Sequence, residues 1–274
     1  MTDLKVFGNV YNNVKGIKAT DTDDAIVTFG EGGGVVQDAI GNIILGSDVG
    51  DKWTTDGIAT GLEPNEAIIL SEDIVTVANS AFYRKPITSV RGDSVTSVND
   101  GAFNGCSQMT EIIFPKLKTI ANTAFNNCTM LAVVNLPSVT SIGSSFQYTG
   151  NSGVAVLPKV TSLNQTFRNS NFKVLDLGVY AGIGNYFVTS DTQFDTLILR
   201  KTDAICTLSN INGFAGSKFA SGGAGGTLYV PQALKSQYEQ ATNWSTILGY
   251  PNNQILAIEG SYYETHYADG SIIE

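Results

Sequence analysis

The chain has 274 residues, of which 42% are hydrophobic and only 15% charged, and it contains 29 glycines. This balance predicts short strands and frequent turns rather than long surface helices. The formal net charge of −9 and the lack of any basic run argue against binding along nucleic acid or on an anionic membrane surface. No segment has the roughly 18 consecutive apolar residues of a membrane-spanning helix.

The first residues, Met1–Val6, lack the basic and then apolar pattern of a signal peptide. The chain is therefore expected to be cytoplasmic or part of an assembly released by lysis, such as a virion. A location at the cell surface or outside the cell stays open if an export signal has been removed. The three cysteines are too few for a disulfide framework.

Residues 1–62 lack the period found later in the chain, and we predict a small β-rich N-terminal cap or docking module there. Val14–Phe29 has the pattern of two strands around an Asp-rich turn, which predicts a hairpin, and Glu31–Gly34 has the pattern of a flexible joint. Asp21–Asp24 faintly suggests a calcium loop. Because it lacks the glycine and the distal glutamate of an EF-hand, a solvated turn is the favoured interpretation.

A repeat of about 21 residues dominates the region 63–231. Its marker is a phenylalanine, and the spacings between successive markers are 21, 22, 21, 21 and 20 residues for Phe82, Phe103, Phe125, Phe146, Phe167 and Phe187. A short strand lies between markers and often ends at a proline, as in Ile112–Pro115 and Val154–Pro158. One strand per repeat predicts a parallel sheet wound into a coil, in which each unit is stabilised by its neighbours.

Val98–Met109 and Ile120–Leu131 resemble the BspA-type leucine-rich repeat, whose pattern is Ile-x-x-x-Ala-Phe-x-x-Cys-x-x-Leu, then a strand and a proline. The later markers, at Ser145–Phe146 and Thr166–Phe167, lack the alanine, and neither is followed by the cysteine. The resemblance covers roughly residues 66 to 245. It implies a mainly β leucine-rich-repeat solenoid of about six to seven coils with a role in recognition or adhesion, and it implies no particular ligand.

Side chains alternate between the two faces of each strand. We predict that one residue of each repeat points outward in a row that we call the outer ladder, namely Arg91, Ile113, Asn135, Val156, Asp176, Ile198 and Tyr229. This row and its outward neighbours, such as Val133 and Val154, are more apolar than a solvent face requires. Two interpretations stay open: strand propensity alone, or a contact surface for another chain or for a flanking segment. The second predicts that charging Val156 abolishes binding while the monomer stays folded.

Residues 232–274 are predicted to close the solenoid. Pro231–Trp244 has proline at a helix start and Leu234, Tyr238 and Ala241 at helical spacing, so we predict one amphipathic helix that seals the last coil. The final stretch, Ile255–Glu274, could add a strand pair or form an exposed tail.

Candidate sites for chemistry are sparse. The single histidine, His266, argues against a metal site built on a His pair and is expected at the surface. Cys106 and Cys128 fall at the same position of successive repeats, which favours stacked small residues and leaves a disulfide open. Ser221–Gly226 has the pattern of a surface excursion, and Arg91–Asp93 spells an integrin-binding tripeptide by chance. We therefore predict a protein that is not an enzyme, without catalytic, cofactor-binding or metal-binding residues.

Two functional hypotheses follow. The first is a virion protein of a phage or prophage, in the tail, baseplate or receptor-binding apparatus, because a non-repeat piece precedes the repeat array. The alternative is a cell-surface or secreted bacterial adhesin that binds host proteins. The expected partner is a protein or a cell-surface glycan, with self-association or virion neighbours as further options. A carbohydrate-active enzyme fits poorly because no pair of carboxylates stands out.

Overall fold

The structure is a computed structural model that describes residues 66–70, 74–163, 165–184, 187 and 194–267, together with the backbone of five short strands before residue 46. Among the helices within these ranges, none is both long and apolar enough to cross a bilayer.

The chain is mainly β, as predicted, with one short main strand in almost every coil. The strands are β1 (Leu4–Val6), β2 (Asn9–Tyr11), β3 (Ile26–Gly30), β4 (Gly33–Gln37), β5 (Ile43–Leu45), β6 (Glu66–Leu70), β7 (Thr76–Val77), β8 (Ile87–Arg91), β9 (Ser97–Val98), β10 (Glu111–Ile113), β11 (Thr119–Ile120), β12 (Val133–Asn135), β13 (Ser141–Ile142), β14 (Val154–Leu157), β15 (Ser162–Leu163), β16 (Val174–Leu177), β17 (Gly182–Ile183), β18 (Thr196–Leu199), β19 (Thr207–Leu208), β20 (Thr227–Val230) and β21 (Gln254–Ala257).

The main sheet has twelve strands in the order β21-β20-β18-β16-β14-β12-β10-β8-β6-β5-β4-β3. It is parallel from β5 to β21, and from β8 to β20 it keeps a constant register, with Ile113 opposite Arg91 on one side and Asn135 on the other. The two-residue strands β7, β9, β11, β13 and β15 form a second parallel sheet on another side of the coils. This arrangement confirms the predicted leucine-rich-repeat solenoid.

The marker phenylalanines form one stack through the core. The ring centroids of Phe82, Phe103, Phe125, Phe146 and Phe167 lie 4.9, 5.2, 5.2 and 5.8 Å apart, with nearly parallel planes. All five rings are fully buried. The stack ends at Phe187, whose ring is turned by 70° from that of Phe167. The spacing of the rings follows the roughly 4.8 Å separation of neighbouring strands, so the ring stack and the sheet share one period.

The repeat that follows the two closest matches to the motif keeps the motif's hydrogen bonds, whereas the buried hydroxyl of Ser170, at the cysteine position one repeat later, has no partner. The thiol of Cys128 donates to the carbonyl oxygen of Phe103, and in the next coil the hydroxyl of Thr149 donates to the carbonyl oxygen of Phe125, at 2.6 Å. At the position of the motif alanine, the Ser145 hydroxyl donates to the backbone oxygen of Ala121. The buried hydroxyls of Ser145 and Thr149 are tolerated because each finds a backbone acceptor.

The N-terminal strands differ from the predicted arrangement. Two antiparallel strand pairs are described within the first 62 residues, β1 with β2 and β3 with β4, and the second pair extends the main sheet through β5. Gly33 and Gly34, predicted to be part of a flexible joint, lie in β4 and pair with β3, because their backbone groups complete the ladder. Asp21–Asp24 and most of Val14–Phe29 lie outside the described residues.

The C-terminal cap contains two short helices instead of the single predicted one. A 3-10 turn, Gln232–Leu234, leads into α1 (Lys235–Gln240), and α2 (Trp244–Leu248) follows after a break. The break occurs because Ala241 is extended and Asn243 is left-handed, with φ of 66°. Trp244 and Tyr238 seal the last coil, since the indole nitrogen donates to the Cys206 carbonyl and the phenol oxygen accepts from the Cys206 amide, both at 2.7 Å.

Candidate functional site

The outer ladder divides into two halves of different exposure. Arg91 is exposed, and Ile113 and Asn135 are half-buried, whereas Val156, Asp176 and Ile198 are at most 1% exposed. Tyr229, near the end of the row, is half-buried. Val156 and Ile198 are nevertheless separate from the main hydrophobic core, which contains their strand neighbours. They are therefore buried on the outer side of the sheet.

Because Val156 is buried, the sequence-based prediction that the monomer stays folded when this residue is charged is wrong. A charge at a fully buried position would have to be desolvated without a partner, which destabilises the fold. Charging Val156 thus probes stability rather than binding. Ile113 is the apolar position of the outer ladder at which binding can be tested.

The described segment that lies over the part of this half around Asp176 and Arg200 is residues 258–267, which we call the C-terminal strap. After β21 the chain turns back over the outer side of the sheet through a 3-10 turn at Tyr262–Glu264. The Tyr263 ring packs on Tyr229 with its centroid 4.8 Å away, and Arg200 donates to the backbone oxygen of His266 at 2.8 Å. Up to residue 267, the chain forms one added strand, β21, and this strap instead of a strand pair or an exposed tail; residues 268–274 lie outside the described residues.

An ion pair lies beneath the strap. The Arg200 guanidinium binds the Asp176 carboxylate in a bidentate manner, with N–O distances of 2.7 to 3.0 Å, although Asp176 is only 1% exposed. Burial raises the pKa of Asp176 to about 6, and the hydrogen bonds and charge of Arg200 oppose this rise. Arg200 thus contacts both the carboxylate and the strap backbone, so it links the strap to the sheet.

Four rings of the strap pack together over the sheet. Tyr262 stacks on His266, with ring centroids 3.7 Å apart, and Tyr263 and Tyr267 complete the cluster. Burial raises the pKa of Tyr267 to about 12, and nearby Asp176 adds to the shift. His266, predicted at the surface, is half-buried, and its Nδ1 lies 2.7 Å from the backbone oxygen of Tyr262. The His266 ring is thus held by contacts within the strap.

We call the outward residues of β8, β10 and β12 the open patch, which consists of Ser89, Arg91, Glu111, Ile113, Val133 and Asn135. All six are at least partly exposed. Arg91 forms an exposed ion pair with Asp93 at 3.0 Å. The side-chain oxygen Oδ1 of Asn135 is buried and has no hydrogen-bond partner. The open patch therefore combines apolar, charged and hydrogen-bonding groups.

The remaining candidate residues are the three cysteines and the glycine-rich stretch, and we interpret both as parts of the fold. Cys106, Cys128 and Cys206 are free and buried, so the disulfide left open between Cys106 and Cys128 is not formed. Burial raises the pKa of Cys106 to about 12. The glycine-rich Ser221–Gly226 contains a turn, and three of its six residues are exposed. Within the described ranges, no group of three or more His, Cys, Asp or Glu side chains could hold a metal ion.

Sequence reasoning missed the strap. The available signals were the four aromatic residues in the six positions 262–267 and the acidic Asp176 within an otherwise apolar stretch of the outer ladder. Neither signal by itself predicts which residues are in contact. The residues that meet are far apart in the chain, since Arg200 and His266 are separated by 66 positions.

Comparison with known proteins finds a similar type of repeat. Residues 63–190 match the family model described as "BspA type Leucine rich repeat region", in six copies. This stretch is therefore similar to BspA-type leucine-rich repeats. The search of proteins with curated descriptions finds no match.

A solved structure is similar over most of the chain. It is the T. pallidum leucine-rich-repeat protein TpLRR, at 19% sequence identity and a TM-score of 0.45. The alignment covers 70% of this chain and 86% of the T. pallidum chain.

Proposed function

We propose that this protein is a non-enzymatic recognition protein that binds a protein or a cell-surface glycan through the open patch. The observation that carries the proposal is the contrast within one ladder. The half that carries Val156 and Ile198 is buried, whereas the half around Ile113 keeps apolar side chains in contact with solvent. Apolar surface rimmed by polar and charged groups is typical of interaction sites.

The composition of the open patch supports this role. Ile113 and Val133 supply apolar area, and Glu111 and Arg91 supply charge on either side. Asn135 offers a buried oxygen that lacks a donor. A partner can donate a hydrogen bond to Asn135 Oδ1 only if the side chain turns outward on binding, and this bond would then remove the cost of an unsatisfied buried acceptor.

More specifically, we propose that the protein is a component of a phage or prophage virion, in the tail, baseplate or receptor-binding apparatus. The support is the non-repeat segment of about 62 residues ahead of the array, which would serve as an attachment module. The second candidate is a cell-surface or secreted bacterial adhesin, favoured by the BspA-type repeats. Genes for tail and lysis proteins beside this gene would favour the first, and a wall anchor encoded in the same gene would favour the second.

The binding test compares two exposed apolar residues on different sides of the solenoid. Ile113→Glu places a charge in the open patch, and Val75→Glu places the same charge at Val75, which is 54% exposed next to the second sheet. The readout is binding of the fluorescently labelled protein to a panel of intact bacterial cells by flow cytometry. We expect Ile113→Glu to lower binding at least about tenfold, as at a central interface residue, and Val75→Glu to leave it unchanged.

Two outcomes would overturn the proposal. One is the absence of binding to every cell type in the panel, which contradicts recognition of a bacterial surface. The other is equal binding by the Ile113→Glu and Val75→Glu proteins, which contradicts the open patch as the site.

A further inference from the structure

The middle of the solenoid has a charge pattern opposite to that of the whole chain. Residues 112–175 contain no Asp or Glu, although the chain has an overall net charge of −9. The same stretch contains five basic residues, all exposed, which are Lys116, Lys118, Lys159, Arg168 and Lys173.

The ion pairs of the described residues lie outside this stretch. They join Arg91 to Asp93, Arg200 to Asp176, Lys201 to Asp203, Lys218 to Asp195 and Lys235 to Glu239. The five basic residues of the stretch thus present positive charge that no neighbouring carboxylate neutralises.

Three of these residues lie together at one corner of the coils. Lys116 and Lys118 lie between β10 and β11, where the chain turns from the main sheet to the second sheet. Lys159 occupies the position of Lys116 two coils later, between β14 and β15. Two strand spacings separate Lys116 from Lys159 by about 10 Å along the solenoid axis. We call this region the lysine corner.

Two threonine hydroxyls at the lysine corner each donate a hydrogen bond to a backbone oxygen. The Thr140 hydroxyl donates to the backbone oxygen of Lys118 at 3.3 Å, and the Thr161 hydroxyl donates to that of Thr140 at 3.2 Å. Both threonines are exposed. Since a hydroxyl has one proton and two acceptor lone pairs, each threonine presents acceptors to an incoming ligand, while the lysines present positively charged donors.

We propose that the lysine corner binds an acidic glycan, a sugar polymer that carries carboxylate or sulfate groups. Such a ligand has both complementary features: its anionic groups contact Lys116, Lys118 and Lys159, and its hydroxyls donate to Thr140 and Thr161. A DNA backbone brings anionic groups but offers no hydroxyl donors along its length, so it satisfies only the lysines. An acidic peptide brings carboxylates and backbone N–H donors, so a poly-glutamate ligand is needed to distinguish it from a glycan.

The lysine corner is a separate surface from the open patch. Lys116 and Lys159 follow the carboxyl ends of their strands, whereas Ile113 and Val133 lie on the outer face. Binding there is independent of the proposed recognition through the open patch. The Ile113→Glu protein is therefore expected to bind acidic glycans normally, which separates failure of one proposal from failure of the other.

The test compares two double substitutions that remove the same charge. Lys116→Gln/Lys159→Gln changes the lysine corner, and Arg168→Gln/Lys173→Gln removes two equally unpaired charges away from it, since Lys173 precedes its strand instead of following one. Calorimetry measures binding of polygalacturonate and of heparin fragments to the full chain, with dextran, poly-glutamate and duplex DNA as comparison ligands. A third variant, Thr140→Val, removes one acceptor without changing charge.

We expect at least one of the two acidic glycans to bind and dextran not to bind. The lysine-corner variant should lose at least about tenfold in affinity and the matched control less than about threefold, because long-range attraction by exposed charges is screened by salt. Thr140→Val should weaken glycan binding while the dependence of affinity on salt stays unchanged.

The proposal is overturned if neither acidic glycan binds or if both double variants lose affinity equally. It is also overturned if poly-glutamate or DNA binds as tightly as the glycans. The first of those two ligands would identify an acidic peptide surface, and the second would identify a nucleic-acid surface.

Discussion

The two halves of the outer ladder share one register and one strand geometry, yet they face different surroundings. Around Ile113 the outer face is open, and around Ile198 it is covered by the C-terminal strap. The strand pattern is the same in both places, because alternation determines only which side chains point away from the core. Whether an outward side chain meets solvent depends on the segment that follows the repeats.

The largest expected effect comes from placing the same charge in each half. Val156→Glu buries a carboxylate without a partner and should lower the free energy of unfolding by about 3–5 kcal/mol. Ile113→Glu should lower it by no more than about 1 kcal/mol, since that side chain reaches solvent. Urea denaturation of both proteins measures the difference, and equal losses would contradict the division of the ladder.

A second prediction compares the two ion pairs of the ladder. Arg200→Met leaves the Asp176 carboxylate buried without its partner and should lower the free energy of unfolding by about 3 kcal/mol. Arg91→Met breaks a pair whose side chains are both about half exposed, and the expected loss is below about 1 kcal/mol.

Thermal unfolding of the two arginine variants tests this comparison. The double variant Arg200→Met/Asp176→Leu should recover much of the loss, because no buried charge remains. A loss for Arg91→Met as large as that for Arg200→Met would show that burial does not distinguish the pairs.

A smaller effect concerns pH. The pKa of Asp176 is about 6 in the folded protein, compared with an ordinary value of 3.8 that applies to the unfolded chain. The folded state therefore binds this proton more readily than the unfolded state. The contribution of this group to stability therefore falls as the pH rises from about 4 to about 6 and is constant above that window. Between pH 7 and pH 5, the wild type should gain about 1 kcal/mol relative to Asp176→Asn. Parallel denaturation curves at the two pH values measure it, and a relative loss on acidification would reverse the sign.

The sequence was sufficient for the solenoid and for the identity of its core. The spacing of the marker phenylalanines predicts the coils, and the rings stack because each coil repeats the same geometry one strand spacing away. The later repeats match the motif less closely, but some of their substitutions could have been recognised because the new side chain can make the same hydrogen bond. Thr149 replaces the motif cysteine and donates to the equivalent carbonyl, so the change conserves the interaction while the motif is lost.

The cap and the strap could not be predicted in the same way. The apolar spacing of Leu234, Tyr238 and Ala241 continues the helical pattern, but the left-handed Asn243 breaks the helix so that Trp244 can reach the carbonyl of Cys206. The strap depends on contacts between distant residues, such as Tyr263 with Tyr229. Periodicity describes only what repeats, and these contacts occur once.

Solvent access to the two halves of the ladder tests the central claim most directly. Ile113→Cys and Ile198→Cys proteins can be treated with a bulky maleimide, because the native thiols are buried and should react slowly while the protein is folded. We predict fast labelling at position 113 and labelling at least about a hundredfold slower at position 198. A chain that ends at Gly260 should label rapidly at both positions while it stays folded. Equal labelling rates in the full chain, or slow labelling at position 198 without the strap, would contradict the account.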